Sequence, residues 1–150
     1  MTTMLAARKH FSVAVDWKQR TIEQWLEQYG AWLLVDDHYV NLGVSSTLGH
    51  LIDQEAGVIH ADFRRRSLPR CNISVFEAMA IEDMLEHVHQ TESSKVKQWL
   101  KVVTMYYIEG RPEVDIAHKL DTSMYAVKRD KMMGVLRLAT RFKISSYLTD

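Results

Sequence analysis

The most chemically pointed stretch of the sequence lies between residues 122 and 143, where Lys128, Arg129, Lys131, Arg137, Arg141 and Lys143 are accompanied by one acid, Asp130. Ionic contacts act within roughly a Debye length of 8 to 10 Å, so a helix this biased attracts a polyanion whatever charge the remainder carries. A second basic cluster, Arg64, Arg65, Arg66 and Arg70, stands in a run from 63 to 72 that holds no acid. The chain of 150 residues is nevertheless neutral, with 19 Lys+Arg against 19 Asp+Glu. Its charges are segregated. Residues 1–62 hold four Lys/Arg against eight acids, residues 73–94 hold five acids and no Lys/Arg, and residues 95–150 hold eleven Lys/Arg against six acids. Neutrality therefore excludes only a uniformly basic binder.

Other groups that could do chemistry are sparse. His87 and His89, with Glu82 and Glu86 nearby, are the nearest thing to a metal set. On a helix, however, residues two apart diverge by roughly 200°. The single Cys71 excludes an internal disulfide and a Cys-rich zinc site, and fits a reducing compartment. No Gly-rich phosphate loop, nucleophile elbow or metalloprotease motif is present, so the expectation is a protein without catalytic residues, metal or cofactor. No apolar run reaches the roughly 18 to 20 residues of a membrane span, and the first fifteen residues lack a signal-peptide core. The expected location is the cytoplasm.

The elements that must carry these residues read as helices. Asp16 can cap a helix in which Ile22, Trp25, Leu26, Tyr29, Trp32 and Leu33 recur at steps of three and four. Gly30 lies inside that face, where a missing side chain lets another backbone approach. Ser74 with Glu77 forms a capping box ahead of Ile81, Met84, Leu85 and Val88, and a further helix is expected from about Lys95 to Ile108, with Trp99, Val103, Tyr106 and Tyr107 inward. Nothing reads as a strand, so the expected class is all-α, a compact helical body followed by a C-terminal DNA-binding unit. The expected divisions are a tail over 1–15, a body over 16–94 with an irregular Arg-containing segment over 36–72, the unit over 95–144, and a tail over 145–150.

Gly110 and Pro112 separate the third helix from a short one carrying Ile116, Ala117 and Leu120; Asp121-Thr122-Ser123 then leads to a long helix from Met124 to about Phe142. Ala117, with Val127 ten residues later, matches the helix-turn-helix, which needs a small residue where its helices cross. Asp121 takes the turn position that favours a left-handed backbone, and Ser123 caps the second helix. Thr122, Ser123, Met124, Tyr125, Lys128, Arg129 and Lys131 are then the candidates to face double-stranded DNA, with Met124, Tyr125, Lys128 and Arg129 placed to meet base edges and Lys131, Arg137, Arg141 and Lys143 suited to phosphates. Lys131 stands where an aliphatic residue usually follows Val127 by four. Either its stem packs and its amine escapes, or the helix rotates so that Met132 substitutes.

From Val103 to Leu138, the succession Tyr-Tyr-Ile-Glu-Gly, Val-Asp-Ile-Ala-His-Lys-Leu, Asp-Thr-Ser and Ala-Val-Lys-Arg resembles region 4 of bacterial sigma factors. Trp25-Leu-Glu-Gln-Tyr-Gly-Ala-Trp32, an irregular Gly/Ser-containing segment and an Arg-rich stretch with Pro69 precede it. In that order, over about residues 16–142, the chain resembles the shorter, zinc-free class of lambdoid bacteriophage Q antitermination proteins. The resemblance implies a phage- or prophage-encoded protein that binds a DNA element at the late promoter. It would engage paused host RNA polymerase and carry it past terminators by narrowing the RNA exit channel. The implied partners are that DNA, host RNA polymerase and, as a further candidate, nascent RNA; a dimer on DNA is compatible. Arg64, Arg65, Arg66 and Arg70 become candidates for polymerase or nucleic-acid contact. A simple promoter-binding regulator with the same helix-turn-helix is the alternative.

Overall fold

The computed structural model describes residues 15–40 and 66–149, including their side chains except those of 36–40. The regular elements of these residues are all helical: α1 (Ile22–Val40), α2 (Val75–Thr91), α3 (Ser94–Val103), α4 (Glu113–Lys119) and α5 (Met124–Phe142), with a one-turn 3-10 helix at Trp17–Gln19 and a π-helical turn at Thr104–Ile108. The expected tail over 1–15, apart from Val15, and positions 41–65 of the Arg-containing segment lie outside the described residues.

The capping residues show why the helices begin where they do. Asp16, expected to cap α1, instead caps the 3-10 turn, accepting from the Lys18 amide at 3.2 Å. Extended backbone at Arg20 separates that turn from α1, and Thr21 provides the reciprocal cap: its hydroxyl accepts from the Gln24 amide while the Gln24 side chain accepts from the Thr21 amide. α1 also continues to Val40, five residues into the segment expected to be irregular. The Ser74–Glu77 capping box forms as the spacing predicts. Ser93 caps α3 two residues after α2 ends. Where a continuous helix was expected to Ile108, the last turn widens, and the Glu109 amide reaches back five residues to the Thr104 carbonyl at 3.0 Å.

Two cores result. Ile22, Trp25, Leu26 and Tyr29 of α1, with Ala78, Ile81, Met84 and Val88 of α2, pack against Val103, Ile108, Val135, Leu138, Ala139 and Ile144. The expected division at 94/95 therefore runs through one core. A smaller second core joins Val102 and Met105 to Ile116, Ala117 and Val127, with Tyr106 and Leu120 partly buried beside it. α3 thus serves both, Val103 on one side and Val102 on the other. Two glycines set the helix spacings. A Cβ on Gly30 would collide with the Ile108 carbonyl, the close approach its position suggests, and a Cβ on Gly134 would stand 2.5 Å from Val103 Cγ2 and 2.9 Å from the Trp99 carbonyl oxygen.

The expected tail over 145–150 is, through Thr149, part of the fold. The Ser145 carbonyl accepts from the Ile22 amide at 2.8 Å, and the Glu23 carboxylate accepts from the Ser146 hydroxyl at 3.0 Å and from the Tyr147 amide at 2.9 Å. Both Glu23 and Ser146 are buried. The first amides of α1 lack helical partners and a buried carboxylate needs donors; residues 145–147 give an acceptor to the Ile22 amide and two donors to one Glu23 carboxylate oxygen, Oε2. No helix of the described residues is long and apolar enough to cross a membrane.

Candidate nucleic-acid interface

α4, the turn and the first half of α5 are shaped by local chemistry. Pro112 sits at the cap of α4 with φ −64° and ψ 153°, following Gly110, whose φ of +72° is accessible at little cost only to glycine. Arg111 ties the two sides of this break together, donating to Glu109 at 2.8 Å and to Asp115 at 2.9 Å. At the other end of α4, Asp121 adopts φ 52°, the left-handed conformation its position predicts, and the Thr122 amide reaches the Ala117 carbonyl at 2.9 Å. Ser123 then caps α5, accepting from the Ala126 amide at 3.1 Å. Val127, fully buried against Ile116 and Ala117, fixes which side of α5 turns inward.

That constraint decides which basic residues are available. Thr122, Ser123, Met124, Tyr125, Lys128 and Arg129 are all exposed, Tyr125 at 75%. Lys131 is not among them. Its ammonium lies 3.2 Å from a Glu113 carboxylate oxygen and 3.9 Å from the centre of the Tyr106 ring. Of the two alternatives for this position, the stem packs, but the amine is captured by α4 instead of escaping. Met132 remains exposed at 44%. Lys131 is therefore corrected from a DNA-facing residue to one that fastens α5 to α4.

Arg137 and Arg141 are also committed. Both donate to Glu92, just beyond the end of α2, and Arg141 further meets the Thr91 hydroxyl at 2.8 Å and a His87 ring nitrogen at 3.2 Å. Desolvation favours the neutral carboxyl of Glu92, but the hydrogen bonds and charges of the two arginines outweigh it and hold its pKa below the ordinary glutamate value. The second half of α5 thus spends its arginines on the body. Lys143 is exposed, in a left-handed backbone (φ 55°) that ends the helix.

The Arg cluster divides in the same way. Arg64 and Arg65 lie outside the described residues. Arg66, a candidate for polymerase or nucleic-acid contact, turns inward: its guanidinium lies 3.7 Å from the Tyr106 ring centre, donates to the Tyr106 carbonyl at 2.8 Å and stands 3.9 Å from Glu27. Its amide also donates to the Gly110 carbonyl at 2.6 Å. Aromatic faces and carbonyls left at the widened turn suit a planar guanidinium better than solvent does. Burial raises the pKa of Glu27 despite the opposing Arg66 charge, and burial together with the Glu23 charge raises that of Tyr107. Arg70 is exposed, with its carbonyl accepting from Gln28 at 3.0 Å.

Sequence reasoning did not identify Glu92, Tyr106 or Asp130 as determinants of this face. Asp130 gave a signal as the lone acid in a basic run; the other two act across 25 or more residues and gave none. Among the described residues no group of three His, Cys, Asp or Glu side chains could hold a metal. No protein-family model, curated protein or solved structure matches the chain.

Proposed function

We propose that the chain is a transcription antiterminator of the phage Q type, which binds a DNA element at a late promoter through α4 and α5 and engages host RNA polymerase so that it reads through terminators. In this reading α4, the Asp121 turn and α5 form a sigma-region-4-like helix-turn-helix, with α5 as the recognition helix. One observation carries the DNA half: Tyr125, Lys128 and Arg129 are exposed on the N-terminal half of a helix whose other side is fixed by buried Val127. Cations and an aromatic placed there can meet phosphates and base edges together. The polymerase half rests on the sequence resemblance, in particular on the Trp25–Trp32 helix, which a minimal DNA-binding domain does not need.

The inward turn of Arg66 favours a second reading, a promoter-binding regulator without polymerase loading, because it removes one residue from the candidate polymerase contact. Transcription in a purified system separates the two. With bacterial RNA polymerase, a late-promoter template and a downstream terminator, the antiterminator raises the fraction of full-length transcript. A chain that binds the promoter but leaves that fraction unchanged is the simple regulator.

A further inference from the structure

Arg129 and Asp130 are adjacent yet differ sharply in exposure. The Arg129 side chain is 53% exposed, whereas Asp130 is a buried residue at 6%. The Arg129 Nε nevertheless donates to Asp130 Oδ1 at 3.2 Å. A carboxylate serving only the interior would draw its donors from buried backbone or side chains; this one takes a donor from the outward-facing arginine. The contact fixes one edge of the guanidinium. NH1 and NH2 are left with no protein partner among the described residues, pointing a two-donor fork away from Asp130.

The neighbours of Arg129 define what that fork can meet. Tyr125, Lys128, Arg129 and Met132 are exposed and separated by steps of three, one and three residues. At 3.6 residues per turn they fall within an arc of about 100° and span about 10 Å along the axis, roughly three base-pair steps. Lys131 lies off this stripe, held by Glu113 and Tyr106. In the major groove, guanine alone offers two adjacent acceptors, O6 and N7, matched to the paired donors of an arginine. A phosphate can take the same fork through two of its oxygens, but such a contact carries no base preference, and preference is what the test below reads.

We infer that Arg129 reads a guanine in the major groove and that Asp130 is its positioning residue, holding Nε so that NH1 and NH2 meet O6 and N7. This rests on the DNA-binding reading given above. Fixing the fork before binding reduces the rotamer freedom lost on contact.

The test is selection from a pool of DNA duplexes with a randomised core, using the parent chain, Arg129→Lys and Asp130→Asn. The parent enriches a motif containing one guanine whose preference falls about tenfold in both variants, while preferences at distant positions persist. Arg129→Lys keeps the charge and so keeps the salt dependence of binding, losing the fork and its Nε bond to Asp130. A purely structural Asp130 would change melting temperature and overall affinity without changing preference at one position. If Asp130→Asn does not fold, 7-deazaguanine at the selected position replaces it. The analogue lacks the N7 acceptor, so it weakens the parent about tenfold and leaves Arg129→Ala, which has no donor there, nearly unaffected. An enriched motif that is unchanged in the variants, or a parent indifferent to the analogue, overturns the Arg129–guanine assignment while leaving DNA binding intact. A parent that enriches no motif overturns the DNA-binding reading together with it.

Discussion

Lys128 and Lys131 lie three residues apart on the same helix, and replacing each with Ala should have different consequences. Lys128 is exposed, whereas Lys131 is held by Glu113 at 3.2 Å and by the Tyr106 ring at 3.9 Å. A phosphate contact contributes about 0.9 to the slope of log affinity against log salt. Losing the Lys128 contact should therefore flatten that slope by about 0.9. Across a salt rise from about 50 to about 200 mM, one such contact is worth about a threefold difference in affinity. Lys131→Ala should leave the slope unchanged and act on stability. Its ion pair is about one-fifth exposed at each side chain, so the pair and the cation–π contact together are worth about 1 kcal/mol, or about 2 to 4 °C in melting temperature for a chain of this size. Fluorescence anisotropy with a short labelled duplex over a salt series gives the slopes, and thermal melts give the stabilities. If Lys131→Ala flattens the slope as much as Lys128→Ala does, the division of α5 into a free stripe and a fastened flank is wrong.

Two further outcomes follow from the packing. Gly30→Ala would gain about 1 kcal/mol in helix propensity, but its Cβ meets the backbone of Ile108, which cannot rotate away; a net loss of about 2 kcal/mol is expected, and a variant as stable as the parent in urea titration contradicts the close approach. Glu92→Gln should cost about 2 kcal/mol at neutral pH, since it weakens charge-assisted bonds to Arg137 and the half-buried Arg141. The folded pKa of Glu92 is depressed, so its contribution is fully present above the ordinary glutamate value and is lost as pH falls through the lower folded value. Melts across the acid range should show a steeper decline for the parent than for the variant; equal declines would remove Glu92 from the acid sensitivity.

Much of the scaffold was legible because local rules set it. The three-and-four spacing of Ile22, Trp25, Leu26 and Tyr29, the Ser74–Glu77 box, the Ser123 cap and the left-handed Asp121 each depend on residues within one or two turns. Gly30 was legible as a point of close approach, though its partner Ile108 was not. What sequence missed depends on distant pairs. Whether a basic side chain on α5 faces solvent or the body is decided by Glu92, Glu113 and Tyr106, and spacing along α5 carries no trace of them. The same holds for Arg66, which has the composition of an exposed loop residue but finds the aromatic and carbonyl groups of the widened turn at Thr104–Ile108. The docking of 145–149 was hidden because its anchor, Glu23, reads as an ordinary exposed acid in the first turn of a helix.

Read-through by the Lys128→Ala, Arg129→Ala double variant, measured beside the parent on the same late-promoter template, tests most directly the link between the exposed stripe of α5 and transcription. Both positions are exposed, but among the described residues Arg129 is a donor to buried Asp130, so the double variant should melt somewhat below the parent, and read-through is compared at a temperature where melts show both folded. The account predicts a parent that lengthens transcripts past the terminator and a folded double variant that does not, with binding to the promoter duplex lost in parallel. A folded double variant that still drives read-through at the parent's level would contradict it.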